Sequence, residues 1–301
     1  MFFVFVYALP MVVMGMDGKL GVARGMLACV IVAVMVGLLF GPFYAVVYIF
    51  TAGFSGVAMG GVVFISTRGG AKANGADMLF YGSICSLSFK IILAVVIWQI
   101  ADINIMSPNP EELRNYITSS VGNRLSSMMP GDTETIKESI SRSARSITLL
   151  VPFGMILWSV AEAWISYVFA SRVGKKRGGE AFFVLPPFSG WAFPRNVLFA
   201  FITGLLADYM GQEREMYPIF QAGANLCAVT GALFSVQGLS VACFFMERRN
   251  IPKAVRAPLI ILTPFIPILS YIFCIVGIID MGFNIRRLPN GNAGKKDNGE
   301  D

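Results

Sequence analysis

Long apolar runs separated by short charged loops constrain this chain more than any other feature. Residues 21–40 carry one charge (Arg24), 42–65 carry none, 78–101 carry only Lys90, and 146–171 carry only Glu162. At 1.5 Å per residue, about 20 such residues cross the ~30 Å hydrocarbon layer of a bilayer. In lipid the backbone must satisfy its own hydrogen bonds, so runs of this length read as helices. Charged residues make up only 14% of the 301, against about 25% in a soluble domain. The chain therefore reads as all-α, a polytopic transmembrane helical bundle. About eight spans are expected, near 2–16, 21–40, 42–65, 78–101, 146–171, 194–210, 218–246 and 257–280.

The first run is short, and Lys19 and Arg24 follow it rather than precede it, unlike a cleaved signal peptide. Pro42 stands where a helix can start, and Pro264 and Pro267 should bend the eighth span. Counting Lys and Arg in alternate loops gives thirteen on one side and ten on the other. Five of those ten lie in segment 102–145 beside six acids, and four follow the last span. The cluster Lys175-Lys176-Arg177 points to the cytoplasm by the positive-inside rule, which places 102–145 outside. With eight spans both termini fall outside as well. The expected domains are a membrane domain over 1–289, carrying 102–145 as an amphipathic insertion, and a polar, disordered tail over 290–301.

Within the insertion, Asn109-Pro110-Glu111-Glu112 is a strong helix start: a capping side chain, Pro in the first turn, and acids at the positive end of the dipole. Leu113, Ile117, Val121, Leu125 and Met128 then recur at helical spacing. Pro130-Gly131-Asp132 breaks the pattern, and a second helix with Ile136, Ile140, Ala144 and Ile147 on one face leads into the fifth span. This is a helical hairpin, either resting on the outer membrane face or serving as a lid.

The chain has no histidine, which removes Ser/His/Asp and Cys/His nucleophiles and His-based zinc sites together. Its five cysteines all sit in apolar runs without a Cys-x-x-Cys pair, as buried hydrophobes do. Residues 70–75 have P-loop-like glycine spacing, but Ala76-Asp77 stands where Lys-Ser/Thr is required. An enzyme, a metal and a cofactor are therefore not expected. The basic balance, pI about 9.1, belongs to loops between apolar runs, so nucleic acid is not the expected partner; the bilayer is.

Charges inside spans are costly, about 2.5–3.5 kcal/mol each, and so mark candidate sites. Lys90 lies in Ser83-x-x-Ser86-x-x-x-Lys90, with both serines on its face, and Glu162 has Ser159 and Ser166 a turn either way. From the cytoplasmic side Lys90 lies ~18 Å deep and Glu162 ~14 Å, so the two can meet on adjacent helices. They form either a structural ion pair or, with Ser86, Asn225 and Gln237, part of a ligand-binding or ion-coupling site. Asn225 and Gln237, twelve positions apart, do not share a helix face, and interhelical hydrogen bonds are their expected role. In the second span Gly21, Gly25, Cys29, Ala33 and Gly37 put a small residue at every fourth position, a stripe suited to close helix docking. The stripe drifts around the helix, so half should pack within the bundle and half is open to a membrane-protein partner.

Three short motifs carry a resemblance. Leu185-Pro186-Pro187-Phe188-Ser189-Gly190-Trp191 precedes the sixth span, Val236-Gln237-Gly238-Leu239-Ser240-Val241 lies in the seventh, and Gly277-Ile-Ile-Asp280 with Asn284-Ile-Arg286-Arg287 closes the eighth. In these the chain resembles the YybS-like family of bacterial membrane proteins. That family is distantly similar to the S-components of energy-coupling-factor vitamin transporters and to the rod-shape protein MreD. An S-component likeness implies a small-molecule ligand bound within the bundle and a small-residue face docking a coupling subunit in the bacterial inner membrane. The chain departs from the usual Ala-x-x-x-Ala first helix, since residues 2–16 hold only Ala8. The expected function is thus a non-enzymatic small-molecule-binding or transport-associated component, and the alternative is a membrane scaffold for envelope or division machinery. The family motifs also place Trp191 at the membrane interface and bring Asp280 and Arg286 within pairing reach.

Overall fold

The computed structural model describes residues 21–69, 75–122, 133–176, 185–263 and 266–286. All regular elements among them are helical, as the apolar runs require. They fall into two compact units, Met1–Leu185 and Pro186–Asp301. The division comes just before Pro186-Pro187, two residues that can continue neither a helix nor a ladder.

In the first unit α1 (Gly21–Phe40) packs on α2 (Pro42–Tyr48), a π-turn at Ile49–Gly53 and α3 (Phe54–Gly69). The small-residue stripe explains the contact. Cys29 and Ala33, with Val32 and Val36, form a buried cluster with Tyr48 and Ala52. Gly25 is buried too, and a methyl on Gly37 would lie 3.2 Å from Ala45 Cβ. This docking face is thus covered by the chain's own next helix. The opposite side of α1, through Leu27, Val30, Val34 and Leu38, is exposed, as a lipid-facing surface is.

Helix α4 (Gly75–Ala101) buries Met78, Gly82, Ser86, Lys90 and Ala94, one residue per four. That ridge seats against α3 and α7 (Val151–Lys176), with Met59, Met78, Ala163, Tyr167 and Ala170 as the apolar core. The hairpin consists of α5 (Pro110–Ile117) with a π-turn at Thr118–Gly122, and α6 (Thr133–Leu149) packed on it. Asn109 caps α5 as its sequence predicts, its Oδ1 accepting from Glu111 N at 2.9 Å. The expected continuous run from α6 into the fifth span is interrupted at Leu150. Pro152 has no N–H for the Thr148 carbonyl, so the ladder lapses for a residue and resumes with Gly154 N donating to Leu150 O.

In the second unit α8 (Asn196–Glu213) and α9 (Tyr217–Arg248) form an antiparallel hairpin, and α9 packs on α11 (Pro267–Phe283). The α9–α11 crossing needs glycine on both sides. A Cβ on Gly238 would overlap the Phe273 carbonyl, and one on Gly277 the Phe234 carbonyl. The backbones therefore touch at this point.

The spans number fewer than eight among the described residues: five helices are long and apolar enough, or up to six with a broken pair. The run at 2–16 lies outside the described residues, as does the 290–301 tail. Helix α8 falls short because Asp208 and Glu213 leave only residues 197–207 apolar. The eighth span is two helices, α10 (Lys253–Leu262) and α11, turned 105° apart. Pro267 cannot donate to the Thr263 carbonyl, and Ser270 Oγ takes its place at 2.7 Å.

Candidate functional site

The intramembrane polar residues gather into two separate networks, one in each unit. In the first, the α4 ridge puts Ser86 and Lys90 a turn apart, and α7 brings Ser159 and Glu162 opposite. Lys90 Nζ donates to Glu162 Oε2 at 2.5 Å, to Ser86 Oγ at 2.7 Å and to Ser159 Oγ at 3.1 Å. These three acceptors match the three hydrogens of the ammonium. Ser86 Oγ donates to the same Glu162 oxygen at 2.6 Å, while Ser159 passes its own hydrogen to Met155 O. Glu162 is 1% exposed and Lys90 9%. Glu162 Oε1 is buried without a hydrogen-bond partner among the described residues. Ser83, expected to share this face, bonds back to Leu79 O of its own helix.

Beside the pair runs an open groove of about 560 Å³, from Ser146 and Ile147 past Gly154 and Trp158 to Lys90. Its walls are almost wholly apolar. Lys90 can present only its methylene stem there, because its nitrogen is turned to Glu162.

The second network joins the three motifs that carried the resemblance. Pro187 leads into a 3₁₀ turn, Phe188–Gly190, whose carbonyls face Arg286 and Ser240. Arg286 Nη1 donates to Ser189 O at 2.9 Å and Ser240 Oγ at 2.8 Å. Nη2 donates to Trp191 O at 2.8 Å and Asp280 Oδ2 at 2.9 Å, and Nε to the same carboxylate oxygen at 3.2 Å. All five guanidinium hydrogens are thereby used. Gln237 Nε2 also donates to Asp280 Oδ2, at 2.6 Å, and its Oε1 accepts from Phe193 N at 2.9 Å. Trp191, expected as an interfacial anchor, also closes its own turn, Nε1 donating to Pro186 O at 3.1 Å.

The structure thus brings Lys90, Ser86 and Glu162 together, and separately Gln237, Asp280 and Arg286 around Trp191. Gly238 belongs to the α9–α11 crossing. Asn225 is in the second unit and donates to Gln221 O, one turn back on its own helix. Gln237 therefore bridges segments as expected. Sequence reasoning passed over Ser189 and Ser240 as working residues. Ser240 stands three positions after Gln237, a spacing that puts both on one face of α9 and could have flagged it. Among the described residues no three His, Cys, Asp or Glu side chains are grouped to hold a metal ion.

The sequence family described as "Predicted membrane protein (DUF2232)" matches residues 1–281. The chain is also 24% identical, over 268 residues, to a protein of Bacillus subtilis (strain 168) that bears the description "Uncharacterized protein YybS". That match covers 89% of this chain and 82% of the relative. No solved structure matches the chain.

Proposed function

This chain belongs to the DUF2232 family of membrane proteins, and from that premise we propose that it works without catalysis, as a scaffold or assembly component of the bacterial inner membrane. The observation that supports the reading is the closure of the Lys90 site. All three ammonium hydrogens go to Ser86, Ser159 and Glu162, and both charges are buried. A polar ligand would have to break the ion pair before it could be recognised. The pair instead sets the register of α4 against α7, the best-attested use of a buried charge pair.

A small-molecule-binding role like that of an S-component is the second reading, favoured by the groove that reaches the Lys90 stem. The two readings separate on purification of the full chain from host membranes, followed by native mass spectrometry. A scaffold keeps a membrane-protein partner at fixed stoichiometry and carries no small molecule. One small molecule per chain would overturn it, provided Gly154→Leu removes that molecule. A Cβ there meets nothing within 4 Å on the protein, so this variant is placed to narrow the groove that Gly154 lines.

A further inference from the structure

We propose that the turn between α9 and α10 holds the phosphate of an anionic lipid in a small cavity on the second unit. The turn follows the 32-residue apolar helix α9, so it lies at a membrane interface. Arg248, Arg249, Lys253 and Arg256 fall within nine residues there. Two of these cations, Lys253 and Arg256, line a cavity of about 230 Å³ with Ser189, Glu247 and Ile260. The carboxylate of Glu247 offsets one of the two positive charges and leaves the lining at a net +1. Glu247 Oε1 accepts from Arg256 Nη1 at 2.6 Å, which fixes the guanidinium. Arg256 Nε is left shut off from solvent and without an acceptor among the described residues. A guanidinium held at one end with a free N–H at the other suits a phosphate oxygen, and Lys253 supplies the second positive charge.

The floor of the cavity is pinned, because Ser189 belongs to the 3₁₀ turn in which Arg286 holds the Ser189 carbonyl and Ser240 the Phe188 carbonyl. The first turn of α10 adds its positive dipole end. The remaining walls, Phe188, Cys243, Ala257 and Ile260, are apolar and suit the glycerol and acyl end of a lipid. A phosphate with attached chains fits this mixture better than a free anion does.

The test uses the full chain in nanodiscs of phosphatidylcholine, with and without phosphatidylglycerol, and measures retained lipid by native mass spectrometry. The wild type should retain phosphatidylglycerol preferentially. Lys253→Gln with Arg256→Gln should weaken that preference roughly ten- to thirty-fold, the contribution of two interfacial cations. Arg249→Gln removes a cation of the same turn outside the cavity and should cost at most about fivefold, the share of one surface cation. An equal loss in Arg249→Gln would mean a diffuse basic surface and overturn the site. Full preference in the double variant would overturn it as well. If that variant misfolds, Ile260→Trp, which crowds the apolar wall, must lower the preference on its own or the proposal fails. Displacement of the lipid by millimolar inorganic phosphate would overturn the lipid as occupant.

Discussion

At the scale of single residues, the two networks make different uses of the same physics. Lys90 and Glu162 are a pair whose halves are costly apart. Replacing one member leaves a buried charge alone, at a cost of about 3–5 kcal/mol, whereas replacing both with apolar residues is often neutral or better. Lys90→Met and Glu162→Leu should therefore each lower the unfolding midpoint in detergent sharply, and the double variant should recover most of the loss. A double variant as unstable as the worse single one would show that the site does more than hold register. Arg286 is a different case, because its value lies in geometry. Its fork reaches the carboxylate of Asp280, two turn carbonyls and Ser240. Lysine keeps the charge but has three donors on a single atom and cannot reproduce the fork. Arg286→Lys should cost about 1.5–3 kcal/mol, the range of one hydrogen bond to a charged group, read as a lower unfolding midpoint. Full stability in this variant would reduce Arg286 to a point charge. Lys90 and Glu162 were legible because each is the lone charge of an apolar run. The cations of the α9–α10 turn were legible only as counts for membrane sidedness. Which of them lines a cavity depends on how the 3₁₀ turn folds back, and spacing carries no sign of that.

At the scale of elements, apolar length identified most helices, and their ends and breaks followed from proline. Pro152 separates α6 from α7, and Pro267 opens the bend between α10 and α11, each by withholding one N–H. Helix α8 forms over the expected sixth run, but Asp208 and Glu213 lower the hydropathy of its last turns. Sequence left undecided which part of the α1 stripe meets another helix. A period of four drifts around the cylinder, and only the packed structure shows Cys29 and Ala33 under Tyr48 and Ala52. The α9–α11 crossing makes the sharpest prediction at this scale. Gly277→Ala drives a methyl into the Phe234 carbonyl, which belongs to the backbone and cannot swing aside. The helices must separate, with a loss of about 3 kcal/mol, the upper end of overpacking costs. Gly231→Ala, on the same α9 but facing open space, should be neutral or stabilising by up to about 1 kcal/mol. Equal effects of the two on the unfolding midpoint would mean that helix propensity, not contact, is being measured.

At the scale of the whole molecule, the two polar networks are each closed within one unit: Lys90 with Glu162 before residue 185, and Asp280 with Arg286 after it. Local opening of one should then leave the other undisturbed, since independent sites add and coupled ones do not. The free cysteines give native reporters for this. Cys85 adjoins Ser86 on α4, and Cys243 lies one turn from Ser240 on α9, 3% exposed. Labelling the intact protein with a membrane-permeant maleimide and mapping the modified peptides reads each site separately. Glu162→Gln should accelerate modification of Cys85 and leave Cys243 at its wild-type rate. Arg286→Lys should do the reverse, by roughly tenfold for each ~1.4 kcal/mol of local stability lost. If either substitution opens both cysteines together, the networks are coupled, and a membrane protein built from two independently locked units is the wrong description.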